Sequence, residues 1–161
     1  MRSPSERLAD LGLTLPAVPA PLAAYVPASR AGDLVYTAGQ LPTVDGSLLA
    51  TGKVGAAVTP EQAAECARVA ALNAVAAIAD VAGGVDAIGR VVRVVVYVAG
   101  GPEFTGQPAV ANGASGLMGD LFGPAGRHAR SAVGVASLPL DSPVEVEVVA
   151  QLHSTPTIHP V

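Results

Sequence analysis

Apolar and polar positions repeat along this chain with two periods, and the switches between them predict its elements. From Thr59 onward the repeat is helical: Ala63, Ala67, Ala70, Ala71, Ala74, Val75 and Ile78 recur at the spacing of one helix face. Thr59 can cap that helix, Pro60 fits its first turn, Gln62 completes a capping box, and Gly83-Gly84 closes it. A second helical repeat puts Val110, Ala114, Leu117, Met118 and Leu121 on one face between about Pro108 and Phe122. Gly113, Gly116 and Gly119 lower its intrinsic propensity. Ser3-Pro4-Ser5-Glu6 carries a start signal for a short leading helix ending near Asp10, followed by a Pro-rich connector from Leu15 to Pro21.

Elsewhere the chain reads as strands. Ala24 to Arg30 and Leu34 to Ala38, around the turn Ala31-Gly32-Asp33, predict a hairpin. Pro42 to Lys53, with Asp45-Gly46, predicts a loop or a second small turn. Ile88 to Val98 is β-branched and nearly all apolar, which predicts a strand buried on both faces over much of its length. Ala129 to Ala136 and Pro143 to Leu152 form a closing pair, and the tail from Ser154 reads as a surface extension.

This order predicts an α+β fold, one mixed β-sheet with two main helices on one face. Two helices cover only one side of such a sheet. The other face then needs a partner, and closed self-association is the usual solution. We read residues 1–161 as a single domain: an N-terminal helix and linker over 1–21, a core over 22–152 and a tail over 153–161.

Composition sharpens the picture. With half the residues apolar and 14% charged, the chain is not of the disordered class. Aromatics are 3%, so Ala, Val and Leu must build the core. A net charge of -4 argues against a broad footprint for nucleic acid or an anionic membrane. Met1 to Asp10 lacks the apolar run of a signal peptide, and Ala63 to Ala82 is interrupted by Glu65, Arg68 and Asp80, a poor membrane span. A single cysteine, Cys66, suits a reducing, cytoplasmic setting.

Few residues offer chemistry. In Val144-Glu145-Val146-Glu147-Val148, alternation puts both carboxylates on one face, either facing water or lining a pocket as a base. Arg130 enters a strand that turns apolar at once. Its planar fork suits capture of a carboxylate, and equally a salt bridge to a nearby acid. Arg127 reads as an ordinary surface charge. Tyr25 and Asn112 are candidate polar pocket groups, or else a packed tyrosine and a solvated helix residue. His128, His153 and His159 lack metal-ligand spacing and Cys66 sits mid-helix, so neither a metal nor a cofactor is expected. No phosphate-binding loop, dinucleotide fingerprint or nucleophile elbow stands in its expected context.

Taken in order, two blocks carry a resemblance. Tyr25-Val26-Pro27 with Tyr36-Thr37-Ala38-Gly39-Gln40-Leu41-Pro42 resembles an opening hairpin with a Ser-Gly-Gln-type signature. Ala129-Arg130-Ser131-Ala132-Val133, then Leu138-Pro139 and Val144-Glu145-Val146-Glu147, resembles a closing block. The set is similar to the RidA/YjgF (L-PSP endoribonuclease-like) family, over about Leu22 to Leu152, in a longer, divergent branch.

The resemblance implies a chorismate-mutase-like fold and a homotrimer whose sheets form a central β-barrel, with small-molecule clefts between subunits. It implies that Arg130 binds a substrate carboxylate and that Glu145 positions water. Tyr25, Ala38, Gly39, Asn112 and Ala132 match other positions of the cleft. Two departures stand out: Ala38 replaces the serine of the signature, and Ala132 replaces a cysteine common two places after the arginine. The implied activity is hydrolysis of enamine or imine carboxylic acids, such as 2-iminopropanoate or 2-aminoacrylate, to 2-keto acids and ammonia. The alternatives are a non-catalytic trimer that binds small carboxylates and, with less support from charge and aromatic content, an endoribonuclease or translation inhibitor.

Overall fold

The computed structural model describes residues 2–20 and 24–154. The tail expected beyond Ser154, and residues 21–23 at the start of the expected core, lie outside them.

Helix α1 spans Pro4–Asp10, started by a full capping box between Ser3 and Glu6. Strands β1 (Ala28–Ala31) and β2 (Leu34–Thr37) form the first hairpin. The strand expected from Ala24 begins only at Ala28. Pro27 has no N–H to add to a ladder, and its carbonyl takes a final bond from Ala38 N at 2.8 Å. The expected small turn is a miniature hairpin, β3 (Thr43–Val44) and β4 (Ser47–Leu48), joined by Asp45 and Gly46 at φ 51° and 80°.

Helix α2 (Pro60–Ala82) has the capping box predicted at Thr59 and Gln62, and it ends on left-handed Gly83. Strand β5 (Ile88–Ala99) follows a short 3-10 turn. Helix α3 (Gln107–Phe122) has no side-chain cap at Gly106. A 3-10 turn over Gly123–Gly126 leads into β6 (Ala129–Val135), and β7 (Val144–Leu152) closes the sheet.

The sheet order is β1-β2-β7-β5-β6, with β5 and β6 parallel and the other pairs antiparallel, so the sheet is mixed. Helices α2 and α3 pack side by side on one face. Val94, Val96, Val98, Val146, Val148 and Ala150 point into that layer and are buried. The helices touch backbone to backbone: a Cβ on Gly113 would stand 1.8 Å from the Ala64 carbonyl oxygen. The glycine that weakens α3 as a helix is what lets it dock.

Among the described residues the opposite face carries no helix. There β5 offers exposed Arg93, buried Val95 and half-buried Tyr97, so its second face is mixed rather than apolar as the sequence suggests. Tyr36 and Val133 add large exposed side chains, at 46% and 42%. Among the described residues no helix is long and apolar enough to cross a membrane.

Candidate functional site

Arg130 is the second residue of β6, an edge strand, and it pairs in register with Val94. Because Val94 points toward the helices, Arg130 does too. Its Nη1 donates to Asn112 Oδ1 at 2.8 Å and to Ser115 Oγ at 3.2 Å, both on α3. Those acceptors are three residues apart and share a helix face. Among the described residues Arg130 makes no ion pair; the pairs present are Arg2–Asp10, Arg30–Asp33, Lys53–Asp141 and Arg68–Asp120. The salt bridge that the sequence left open for Arg130 is therefore not formed within those residues.

Beside it opens a groove of about 470 Å³ lined by Ser115, Gly119, Gly123, Gly126, Arg127, His128 and Arg130. Among the described residues no carboxylate lines it. Arg127 is exposed, as expected, but it shares this groove with Arg130. Ala132 lies on the same strand face as Arg130, half-buried against the core.

Glu145 stands elsewhere. It pairs with Tyr97 on β5, and so faces the side of the sheet without helices. It is half-buried, and burial, with the neighbouring Glu147 carboxylate second, holds its carboxyl above the usual carboxylate range. Glu147 accepts a hydrogen bond from Tyr97 Oη at 3.2 Å. Burial, then that same carboxylate, pushes the Tyr97 hydroxyl up as well. Gly39 forms the floor beneath Glu145: a Cβ there would lie 1.6 Å from Glu145 Oε1. Gln40 locks this contact by exchanging two backbone bonds with Val146, at 2.9 and 3.0 Å. Ala38 lies next to Gly39 and accepts from Gln40 Nε2. Tyr25 lies in the irregular stretch before β1, 61% exposed.

Apart from Tyr25, the candidates fall into two groups on opposite faces of the sheet. Arg130, Asn112 and Ala132 form one; Glu145, Gly39 and Ala38 form the other. Sequence reasoning missed the roles of Ser115 and His128, which join the first group, and missed Tyr97, which joins the second beside Glu147, the other carboxylate that alternation places on that face. The spacing of Asn112 and Ser115 was the available signal. Among the described residues no group of three His, Cys, Asp or Glu is placed to hold a metal ion.

Comparison with known proteins agrees with this architecture. Protein TCP17 of Trypanosoma cruzi is 42% identical over 148 residues, 91% of this chain and 92% of that protein. The crystal structure of Atu1372 from Agrobacterium tumefaciens is 40% identical with a TM-score of 0.84, covering 92% of this chain and 91% of that one. The YjgF gene product of E. coli is 28% identical with a TM-score of 0.60, covering 83% and 92%. The family model described as "YjgF/chorismate mutase-like, putative endoribonuclease" matches residues 5–152. The chain belongs to that YjgF/chorismate mutase-like family.

Proposed function

We propose that this chain is a hydrolytic deaminase of small enamine and imine carboxylic acids, acting as a homotrimer in clefts between copies. The observation that carries the reading is Arg130. Its guanidinium has no ion pair among the described residues, is braced on one nitrogen by Asn112 and Ser115, and borders a groove without carboxylates. In a chain of net charge -4, a cation held this way suits an anionic ligand. Glu145 occupies the other face, so its share of the site comes from a neighbouring copy. The mixed face with Tyr36 and Val133 supports such an assembly.

In this reading Arg130 holds the substrate carboxylate. Glu145 accepts a proton from a water whose oxygen attacks the imine carbon. The C=N electron pair moves to nitrogen, which takes up a proton, giving a tetrahedral carbinolamine. Collapse forms the keto C=O bond as the hydroxyl proton leaves to solvent, replacing the one the nitrogen took up; it breaks C–N and expels ammonia, with Glu145 returning its proton to the leaving amine. An enamine enters the same route after gaining a proton at carbon. The raised pKa of Glu145 suits a group that must both take and return a proton.

A second reading, a trimer that binds small carboxylates without turnover, is favoured by Ala38 and Ala132, which bring neither hydroxyl nor thiol to the cleft. Purified protein is expected to accelerate hydrolysis of 2-iminopropanoate generated in situ. Arg130→Ala should lose most of that activity, since removing one partner of a charge pair costs about 2–5 kcal/mol. Carboxylate binding without turnover would replace the deaminase by the second reading. RNA cleavage abolished by Arg130→Ala would instead favour the endoribonuclease activity in the family's description.

A further inference from the structure

Behind Arg130 runs a chain of polar groups that carboxylate capture alone does not use. His128 Nδ1 stands 2.6 Å from the Gly126 carbonyl oxygen, and His128 Nε2 stands 3.0 Å from Ser115 Oγ. A carbonyl only accepts, so Nδ1 carries the ring proton. In the neutral ring Nε2 then only accepts. Ser115 therefore donates its single proton to His128, and its lone pairs remain for Arg130 Nη1 at 3.2 Å. The far end is rigid: Gly126 is buried, and a Cβ there would lie 2.1 Å from the Met118 carbonyl oxygen of α3.

We propose that Ser115 and His128 are positioning residues that fix the Arg130 guanidinium for carboxylate capture, through hydrogen bonds directed from Arg130 to the Gly126 carbonyl. The proposal deepens the deaminase reading and rests on it for the nature of the ligand. An exposed arginine samples many rotamers, and ordering it on binding costs affinity. With Asn112 and Ser115 both holding Nη1, Nε and Nη2 have no hydrogen-bond partner among the described residues and are left for a carboxylate. Serine beside histidine is also the geometry of an activated nucleophile. Here the hydroxyl oxygen faces Arg130, and Ser115 lies mid-helix in α3, where backbone N–H groups are engaged and cannot form an oxyanion hole. The serine is a bracket.

Two measurements test this. Long-range proton–nitrogen NMR of the wild-type protein is expected to show His128 as the Nδ1–H tautomer, assigned by its loss in His128→Ala. Calorimetry with pyruvate is expected to show binding weakened about tenfold in Ser115→Ala, the size of one lost hydrogen bond to a charged group. In turnover, KM should rise while kcat stays within about twofold. His128→Gln, whose amide oxygen can accept from Ser115, should recover most of the affinity lost in His128→Ala, and it serves if the alanine variant fails to fold. Ser115→Ala combined with His128→Ala should bind no more weakly than Ser115→Ala alone. An Nε2–H tautomer, or Ser115→Ala binding pyruvate as tightly as wild type, overturns the proposal. Wild-type protein that binds no carboxylate overturns the deaminase reading instead, and the tautomer then decides the hydrogen-bond chain by itself.

Discussion

Arg130 and Glu145 belong to opposite faces of one sheet, because Arg130 pairs with Val94 and Glu145 with Tyr97, three residues apart on β5. Alternation along a strand makes an odd separation a change of face. If both residues serve one site, two copies must build it. Arg130→Ala and Glu145→Gln should each be inactive alone. Mixed after unfolding and refolded together, they should regain roughly a quarter of wild-type activity by random assortment of copies. Mixed oligomers with no recovered activity would show that the two side chains do not share a site.

Gly39→Ala should separate stability from activity. The atoms nearest the added Cβ belong to the Glu145 side chain, from Oε1 at 1.6 Å to Cγ at 2.9 Å, and a flexible side chain can swing away. The fold should lose no more than about 1–2 kcal/mol, while the displaced carboxylate lowers kcat at least about tenfold. Thermal unfolding and turnover measured on the same preparation check this. Unchanged kcat in a folded variant would remove Glu145 from the chemistry.

The raised pKa of Glu145 fixes two signs. A carboxyl whose folded pKa exceeds its unfolded one binds more protons in the native state, so stability falls as pH rises through that window. Glu145→Gln should therefore be more stable than wild type at neutral pH, and the advantage should shrink as pH falls through the raised folded pKa and be gone below the unfolded one. Glu147→Gln removes the second cause of the shift, so the acid limb of the pH–rate profile should move to lower pH. A limb that does not move would mean that Glu145 is not the titrating base.

Gly113→Ala should be costly for a reason unrelated to helix propensity. Alanine is the better helix former, yet its Cβ would lie 1.8 Å from the Ala64 carbonyl oxygen, a backbone atom that cannot swing aside. A loss of about 3 kcal/mol or more is expected in urea denaturation. A gain in stability would show that α2 and α3 are not in backbone contact.

How far the sequence reached depends on the range of the forces involved. The capping boxes at Ser3 and Thr59, the glycine stop at Gly83 and the alternation in Val144 to Val148 act over a few residues, and each was legible. The strand predicted from Ala24 is shorter in the structure because Pro27, inside an otherwise extended run, ends the ladder. The second face of β5 is less buried than its valine run predicts, because the register sends Arg93 and Tyr97 there. Ser115 and His128 are 13 residues apart and meet only when β6 lies beside α3. The single-chain pattern could nominate Arg130 and Asn112 but not Ser115 and His128 behind them.

The missing cap of α3 has a consequence for the order of assembly. Helices α1 and α2 each begin with a reciprocal side-chain cap, so their ends are specified by neighbours in sequence. Helix α3 begins at Gly106 without one, is diluted by glycines, and depends on its contact with Ala64 of α2. The bracket at Arg130 is therefore expected to form late in folding, after α2 offers a surface to dock on. Amide hydrogen exchange should follow the same hierarchy, with α3 opening at lower free energy than α2. The part of the protein best suited to grip a ligand is then also the part whose order a ligand would most improve.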